Sequence, residues 1–355
     1  MSSPPLFSLF PRLADRVPWT PIGTFPTPVE PLRGPGGSCL DQLFVKRDDL
    51  SAPRYGGNKV RKLEHVLADA RRRKCRSLVT VGGLGSNQCL ATAIYGRTFD
   101  FDVDICLFDQ PINAHVVEVL LADVAAGARI WYGGSYPGTA WQVCRAWLRR
   151  RRLGQRPYYV PPGSTTPLGA LGYVSAGLEL AEQVRAGAVP EPDRVFVAAG
   201  SCGTVAGLIV GLKLAGLRSR CVAVRISTGL AVNRWYITRL ARQVLRLMRR
   251  ADPSVPLLPL DAGQFDLETR FYGGAYGRET EEGRAALTWA SPWLRLETTY
   301  TGKALAACLA HHRAHPEETL LFWNTFNSAP LEKAEGVEAL PLVIQKVVKA
   351  AGVSL

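Results

Sequence analysis

The sequence predicts an α/β protein built on mostly parallel sheets, and three observations carry that prediction. Short apolar runs alternate with helical patterns of about 10–15 residues, the signature of parallel βαβ units. Three glycine-rich loops, at 55–58, 82–87 and 199–204, follow strand ends. Ligands of open α/β sheets bind beyond the carboxyl ends of strands, so three such loops suggest one shared crevice. The length of 355 residues suffices for two domains or one large unit, and 47% hydrophobic with 21% charged residues is ordinary for a globular chain.

The elements follow in order. The first 40 residues, rich in proline and glycine, read as an arm or irregular cap. "LFVKRDD" reads as a strand ending in a turn, and a helix starts at Asn58 with Val60, Leu63, Leu67 and Ala70 on one face. "SLVTVGG" is a buried strand, and "SNQCLATAIYGR" opens the next helix. "VDICLF" and "ARIWYG" are strands around the helix "AHVVEVLLADVAAG"; "GTAWQVCRAWLRRRR" is a helix. After the loop "VPPGSTTP" come the helix "LGALGYVSAGLELAEQVRA", the strand "RVFVAAG", the helix "GTVAGLIVGLKLAG" and the strand "CVAVRIS". A long arginine-rich helix, a proline-rich connection "ADPSVPLLPLDAGQ" and the strand "TLLFWNT" follow.

The net charge is +13, with arginine clusters at 71–73, 149–152 and 239–250. Such clusters can bind nucleic acid. In the third, Leu240, Val244 and Leu247 recur at helical spacing opposite the arginines, which fits an ordinary amphipathic helix. No nucleic-acid partner is expected. No apolar run reaches the roughly 20 residues of a membrane span. Eight scattered cysteines form no CxxC pair and five histidines show no metal spacing, so neither zinc nor a disulfide framework is expected, and the expected setting is a reducing cytoplasm.

Within the loops, "VFVAAGSCGTVAGL" runs a strand into Gly200, Ser201, Cys202, Gly203 and Thr204 and then into a helix. Free N–H groups at that helix start favour an anion, and the hydroxyls add donors. The loop matches neither the Walker A nor the GxGxxG pattern, so it is a phosphate cup without a nucleotide signature. Lys59 stands in the first turn of its helix, where the positive helix end and burial would lower its pKa and make it a nucleophile for carbonyls. Lys62 follows on the same face. Spacing alone favours two surface lysines flanking Arg61. Likewise Ser86 and Asn87 suit either a helix N-cap or a pair of groups aimed at a ligand.

The ordered set "KRDDL", "GGNKVRKLE", "TVGGLGSNQ", "PLGALGYV", "GSCGT" and "YTGKALA" resembles the D-cysteine desulfhydrase and 1-aminocyclopropane-1-carboxylate (ACC) deaminase family, across roughly residues 20–330. These are pyridoxal-phosphate (PLP) enzymes of fold type II, the tryptophan-synthase-β-like fold, with two domains that are each an open, mostly parallel sheet flanked by helices. The resemblance implies a large domain of 1–59 and 167–355, a small inserted domain of 60–166, and a homodimer. It implies that Lys59 holds PLP as a Schiff base, with Asn58 beside it. Lys62 and the residues from Gly200 through Ser201, Cys202, Gly203 and Thr204 would take the phosphate. Asn87 would bond the ring oxygen and Thr301 would face the ring nitrogen. Ser86, Asn87, Gln88, Tyr276, Tyr300 and Thr325 would contact a small amino-acid substrate, with Ser86, Tyr276 and Tyr300 available as acid/base groups.

Thr301 and Thr325 match the desulfhydrase pattern, whereas Gln88 matches the deaminase one. Gly85 stands where glutamine is usual, Glu279 where proline is usual, and Phe326 and Asn327 where two glycines are usual. The implied reaction is elimination and deamination to a 2-oxo acid and ammonia. Replacement or cyclisation chemistry, ACC deamination, or a nucleic-acid-binding homologue without activity are the alternatives.

Overall fold

A computed structural model describes residues 3–353. Ten strands form two sheets: β1 (Val29–Arg33), β2 (Cys39–Lys46), β3 (Ser77–Gly83), β4 (Asp102–Phe108), β5 (Arg129–Gly134), β6 (Pro157–Val160), β7 (Arg194–Ala199), β8 (Arg220–Arg225), β9 (Phe265–Glu268) and β10 (Leu320–Trp323). The helices are α1 (Pro5–Leu9), α2 (Arg12–Arg16), α3 (Asn58–Arg72), α4 (Asn87–Thr98), α5 (Ala114–Ala125), α6 (Tyr136–Arg152), α7 (Pro167–Arg185), α8 (Gly203–Leu214), α9 (Arg234–Ala251), α10 (Glu281–Ala290), α11 (Thr301–Ala314) and α12 (Leu342–Ala350). Two compact units result. One comprises the described residues up to His65 with Thr165–Ala329, the other Val66–Ser164 with the described residues from Pro330 onward.

The first unit holds a six-stranded sheet in the order β1-β2-β10-β7-β8-β9. Only the β1–β2 pair is antiparallel. Strand side chains alternate faces, and both faces are covered, which is why the strands read as continuous apolar runs. Val195, Val197, Leu321 and Trp323 pack into one core with residues of α1, α7, α8 and α9. Phe196, Ala198, Leu320 and Phe322 point the other way, into a core shared with α10 and α11. The arginine-rich α9 contributes Ile237, Leu240, Val244 and Met248 to the first core; of the expected apolar face, Leu240 and Val244 are buried and Leu247 packs against the core half-buried. Glycines allow close helix contact: a Cβ on Gly207 of α8 would lie 2.4 Å from the Ala170 carbonyl oxygen on α7.

A buried polar cluster fixes α3 to β2 and α7 within this unit. The Arg61 guanidinium bonds Asp48 (2.8 Å) and Glu179 (2.9 Å), while Lys46 Nζ bonds Glu179 (2.5 Å) and Gln183 (2.7 Å). Tyr173 Oη donates to Asp48 at 2.6 Å. Burial alone would raise the Asp48 pKa, but the Arg61 and Lys46 charges outweigh it and bring the carboxyl down to about 2.

The second unit is an all-parallel sheet, β5-β4-β3-β6. Val79, Cys106 and Ala146 form a small core against one face, joined by Val81, Trp131 and Trp147. Asp104, fully buried, accepts from Trp131 Nε1 (2.7 Å) and is paired with Arg150. The C-terminal segment packs here and not in the larger unit, contrary to the expected bounds of 167–355. Its contacts explain why: Ala334 N donates to Leu121 O (3.1 Å), and Lys333 pairs with Glu118 at 3.0 Å on α5. The N-terminal residues also depart from an irregular arm, since they form α1, α2 and the edge strand β1. Among the described residues no helix is long and apolar enough to cross a membrane.

Candidate active site

The geometry around Lys59 begins with two glycines. Gly57 has φ +87°, and a Cβ there would lie 2.7 Å from Thr325 O and 2.6 Å from Phe326 O. Only glycine passes there without strain. Backbone bonds then set the start of α3: Gly57 N donates to Asp48 O (2.8 Å) and Asn58 N to Thr325 O (3.1 Å). Lys59 follows with its amine turned inward. Its Nζ donates to Asn58 Oδ1 at 2.8 Å, and Asn58 Nδ2 donates to Thr204 Oγ1 at 3.1 Å. The Asn58 amide thus links the lysine to the first turn of α8. Burial lowers the Lys59 pKa from 10.5 to about 8, partly opposed by the Glu297 carboxylate. A lysine in this state has a substantial neutral fraction near pH 8, as a carbonyl nucleophile requires.

The 200–204 loop forms a cradle. Cys202 caps α8 in the left-handed conformation (φ +68°) and its side chain makes no capping bond. The first N–H groups of a helix have no acceptor inside it, so this end favours an anion. A Cβ on Gly203 would lie 3.1 Å from Lys62 Nζ and 2.9 Å from Thr165 Oγ1, and Thr165 Oγ1 donates to Ser201 Oγ at 2.7 Å. Lys62 is fully buried, and burial together with the Lys59 charge pushes its amine well below the ordinary range. Two neighbouring buried amines beside a helix start form a concentration of positive potential that an anion would relieve.

Tyr276 and Tyr300 share a 2.6 Å hydroxyl–hydroxyl bond, their rings edge to face. Tyr300 lies against the 200–204 loop, since a Cβ on Gly200 would come within 2.9 Å of its ring. Lys303 ties down the segment that carries Tyr276, donating to Tyr272 O (2.8 Å) and Arg278 O (2.6 Å). Sequence reasoning missed Glu297. Its buried carboxylate accepts from the backbone N–H groups of Thr299 (2.7 Å), Tyr300 (2.7 Å) and Thr301 (2.8 Å), and so caps α11 and orients Tyr300. Thr301 is buried, with its hydroxyl accepting from Glu297 N at 3.0 Å. An acidic residue just before "TYTGK" is an N-terminal helix signal, but nothing in the pattern ties it to Lys59.

Asn58, Lys59, Lys62, Gly200 to Thr204, Tyr276, Tyr300, Thr301 and Thr325 all belong to the first unit. Ser86, Asn87 and Gln88 belong to the second, at the start of α4. There Ser86 Oγ accepts from Cys89 N at 3.3 Å, which is the N-cap arrangement. Gln88 is buried and donates to Thr92 Oγ1 at 2.7 Å, while its Oε1 is buried without a hydrogen-bond partner among the described residues. A Cβ on Gly85 would press within 2.9 Å of both Gln110 Nε2 and Val116 Cγ2, so the larger residue usual in the resembled family would require these side chains to shift.

An amine of lowered basicity next to a phosphate-type cradle defines a class: enzymes that hold a phosphorylated aldehyde through a lysine. Known proteins agree. The family model described as "Pyridoxal-phosphate dependent enzyme" matches residues 21–325, and the chain belongs to that family. It is 32% identical over 314 residues to a D-cysteine desulfhydrase of Klebsiella pneumoniae (strain 342), covering 84% of this chain and 91% of that one. It is 31% identical to a D-cysteine desulfhydrase of Yersinia pestis (strain Pestoides F), covering 80% and 84%. A crystal structure of an ACC deaminase homologue superposes with a TM-score of 0.73 at 27% identity, over 92% of this chain and 96% of that one. O-ureido-L-serine synthase, at 14% identity and a TM-score of 0.56 over 92% of both chains, shares the fold alone.

The protein is therefore a PLP-dependent enzyme of fold type II. The residues present fit the cofactor: a lysine of lowered pKa for the aldehyde, and for the phosphate a second buried lysine, hydroxyls and a helix start around a glycine whose Cβ would intrude.

Proposed function

We propose that the enzyme is a D-cysteine desulfhydrase-like lyase that removes the α-proton of a small amino acid and expels its β-substituent, giving a 2-oxo acid and ammonia. The observation that carries this reading is the Lys59 amine, brought to about 8 by burial and bonded to Asn58. The enzyme's family membership and the D-cysteine desulfhydrase activity of its relatives support it.

Bound PLP supplies an electron sink that makes the substrate α-proton acidic. The chain's own groups do the rest. Lys62, Thr204, Ser201 and the start of α8 would hold the phosphate. Lys59 would hold the aldehyde, and its neutral Nζ would accept the substrate α-proton. Asn58 Oδ1 orients that amine. The Tyr276–Tyr300 pair holds a proton that can pass to the departing group. By the family resemblance, Ser86 and Gln88 would bind the substrate carboxylate, Asn87 the cofactor's ring oxygen and Thr325 the substrate, while Thr301 would face the ring nitrogen. With cysteine, the Cα–H and Cβ–S bonds break, sulfide leaves with a proton, and water converts the remaining enamine to pyruvate and ammonia. The reading includes a homodimer working in the cytoplasm.

The test is direct. Protein reconstituted with PLP is expected to be yellow and, after borohydride reduction, to carry the label on the Lys59 peptide. D-cysteine is expected to yield pyruvate, ammonia and sulfide. A label elsewhere refutes the site. Turnover of ACC, or condensation products without 2-oxo acid, refutes the reaction.

A further inference from the structure

The Gly56–Gly57–Asn58 strap that delivers Lys59 has little of its own to hold it in place. Gly56 admits no side chain, since a Cβ would lie 2.1 Å from Asp49 O, and Gly57 is equally confined. Besides the Ser51 hydroxyl, which donates to Gly57 O at 3.0 Å, the strap's position depends on hydrogen bonds from three consecutive amides. Gly57 N goes to Asp48 O and Asn58 N to Thr325 O, both backbone acceptors. Gly56 N goes to Asn327 Oδ1 at 2.6 Å, the one side-chain acceptor of the three.

Asn327 is itself firmly held. It is 2% exposed, its Oδ1 also accepts from Ala329 N (3.0 Å), and its Nδ2 donates to Ala329 O (2.8 Å). The amide plane is thus fixed from two sides by the backbone two residues on, with one lone pair of its oxygen directed at Gly56. In the family this sequence resembles, glycine is usual at this place and offers no side-chain acceptor.

We propose that Asn327 is a positioning residue for Lys59: it clamps the loop after β10 to the glycine strap and so sets where the cofactor-binding amine starts. The proposal rests on the reading that Lys59 carries PLP, and it deepens that reading.

Asn327→Ala removes the acceptor, and Asn327→Gly, which restores the residue usual in the family, removes it a second way should the first variant not fold. Two readouts are made: hydrogen exchange of the peptide spanning residues 52–58 without PLP, and the PLP dissociation constant from equilibrium dialysis. Loss of one buried bond predicts that the Gly56 amide exchanges about tenfold faster and that PLP binds about tenfold more weakly in Asn327→Ala and Asn327→Gly. Parent-like exchange and PLP affinity in the Ala or Gly variant overturn the clamp. Failure of the underlying reading looks different: the parent protein itself would then carry no borohydride-fixed label at Lys59, whatever the exchange result.

Discussion

Removing the cofactor lysine should make the cofactor-free protein more stable. Burial lowers the Lys59 pKa from 10.5 to about 8. Each pKa unit is worth about 1.4 kcal/mol, so below pH 8 the protonated amine destabilises the fold by about 3 kcal/mol. Lys59 retains some solvent contact, which trims this to about 2–3 kcal/mol. Methionine has nearly the same length and no charge, so Lys59→Met removes that penalty. It also loses the 2.8 Å bond to Asn58, worth about 1 kcal/mol. The net expectation is a gain of about 1–2 kcal/mol at pH 7.

The sign of the pH dependence follows from proton binding. Between about pH 8 and 10.5 the unfolded chain keeps the Lys59 proton while the folded one has released it. Stability of the parent protein therefore rises with pH across that window relative to the variant, and the gap closes. Urea unfolding of both cofactor-free proteins, followed by tryptophan fluorescence at pH 7, 9 and 10, measures this. Adding PLP should reverse the order at pH 7, because only the parent protein gains binding energy through the lysine. A variant that is less stable than its parent at pH 7, by a margin that does not change with pH, would refute the premise of a buried amine held at an energetic cost.

Two further outcomes test other parts of the structure. Asp48→Asn strips one carboxylate from the buried cluster and leaves Arg61 under-compensated, so urea unfolding at pH 7 should show a loss of about 3–5 kcal/mol. In the parent protein the depressed Asp48 pKa contributes about 2 kcal/mol above pH 4, lost as pH falls through about 2, and that acid-induced loss should be smaller in the variant. Gly203→Ala places a methyl 3.1 Å from Lys62 Nζ and 2.9 Å from Thr165 Oγ1. PLP affinity in equilibrium dialysis should fall by about tenfold or more. Unchanged affinity would mean that the cradle does not take the phosphate.

The sequence made the fold legible wherever one element carried a complete signal. "SLVTVGG" and "RVFVAAG" are apolar runs ending in glycine, and they are β3 and β7 because both sheet faces are covered. α1 and α2 escaped notice because five residues are too few to show a helical period. β6 begins with proline and spans four residues, so no strand is expected there from the sequence. For the site, "GGNKVRKLE" placed the lysines on one helix but left their chemistry open, since exposure and basicity depend on burial by distant chain. Glu297 and Asn327 were not legible for the same reason. The Asn327–Gly56 bond joins positions 271 residues apart, and no local pattern encodes such a pairing. Ser86 shows the converse: a residue type suited equally to capping and to ligand binding, whose backbone bond is capping.

The Lys46–Arg61–Asp48–Glu179 cluster has a consequence for anyone redesigning this enzyme. Two cationic side chains and two carboxylates, drawn from a strand, two helices and a turn, are sealed away from solvent only two residues along the helix from Lys59. Mutational drift cannot cross such a feature one residue at a time, because every intermediate strands an unmatched charge. The cluster should therefore be exchanged as a block for a well-packed apolar set or left alone. Directed evolution that relies on single substitutions would retain it while the surrounding residues change.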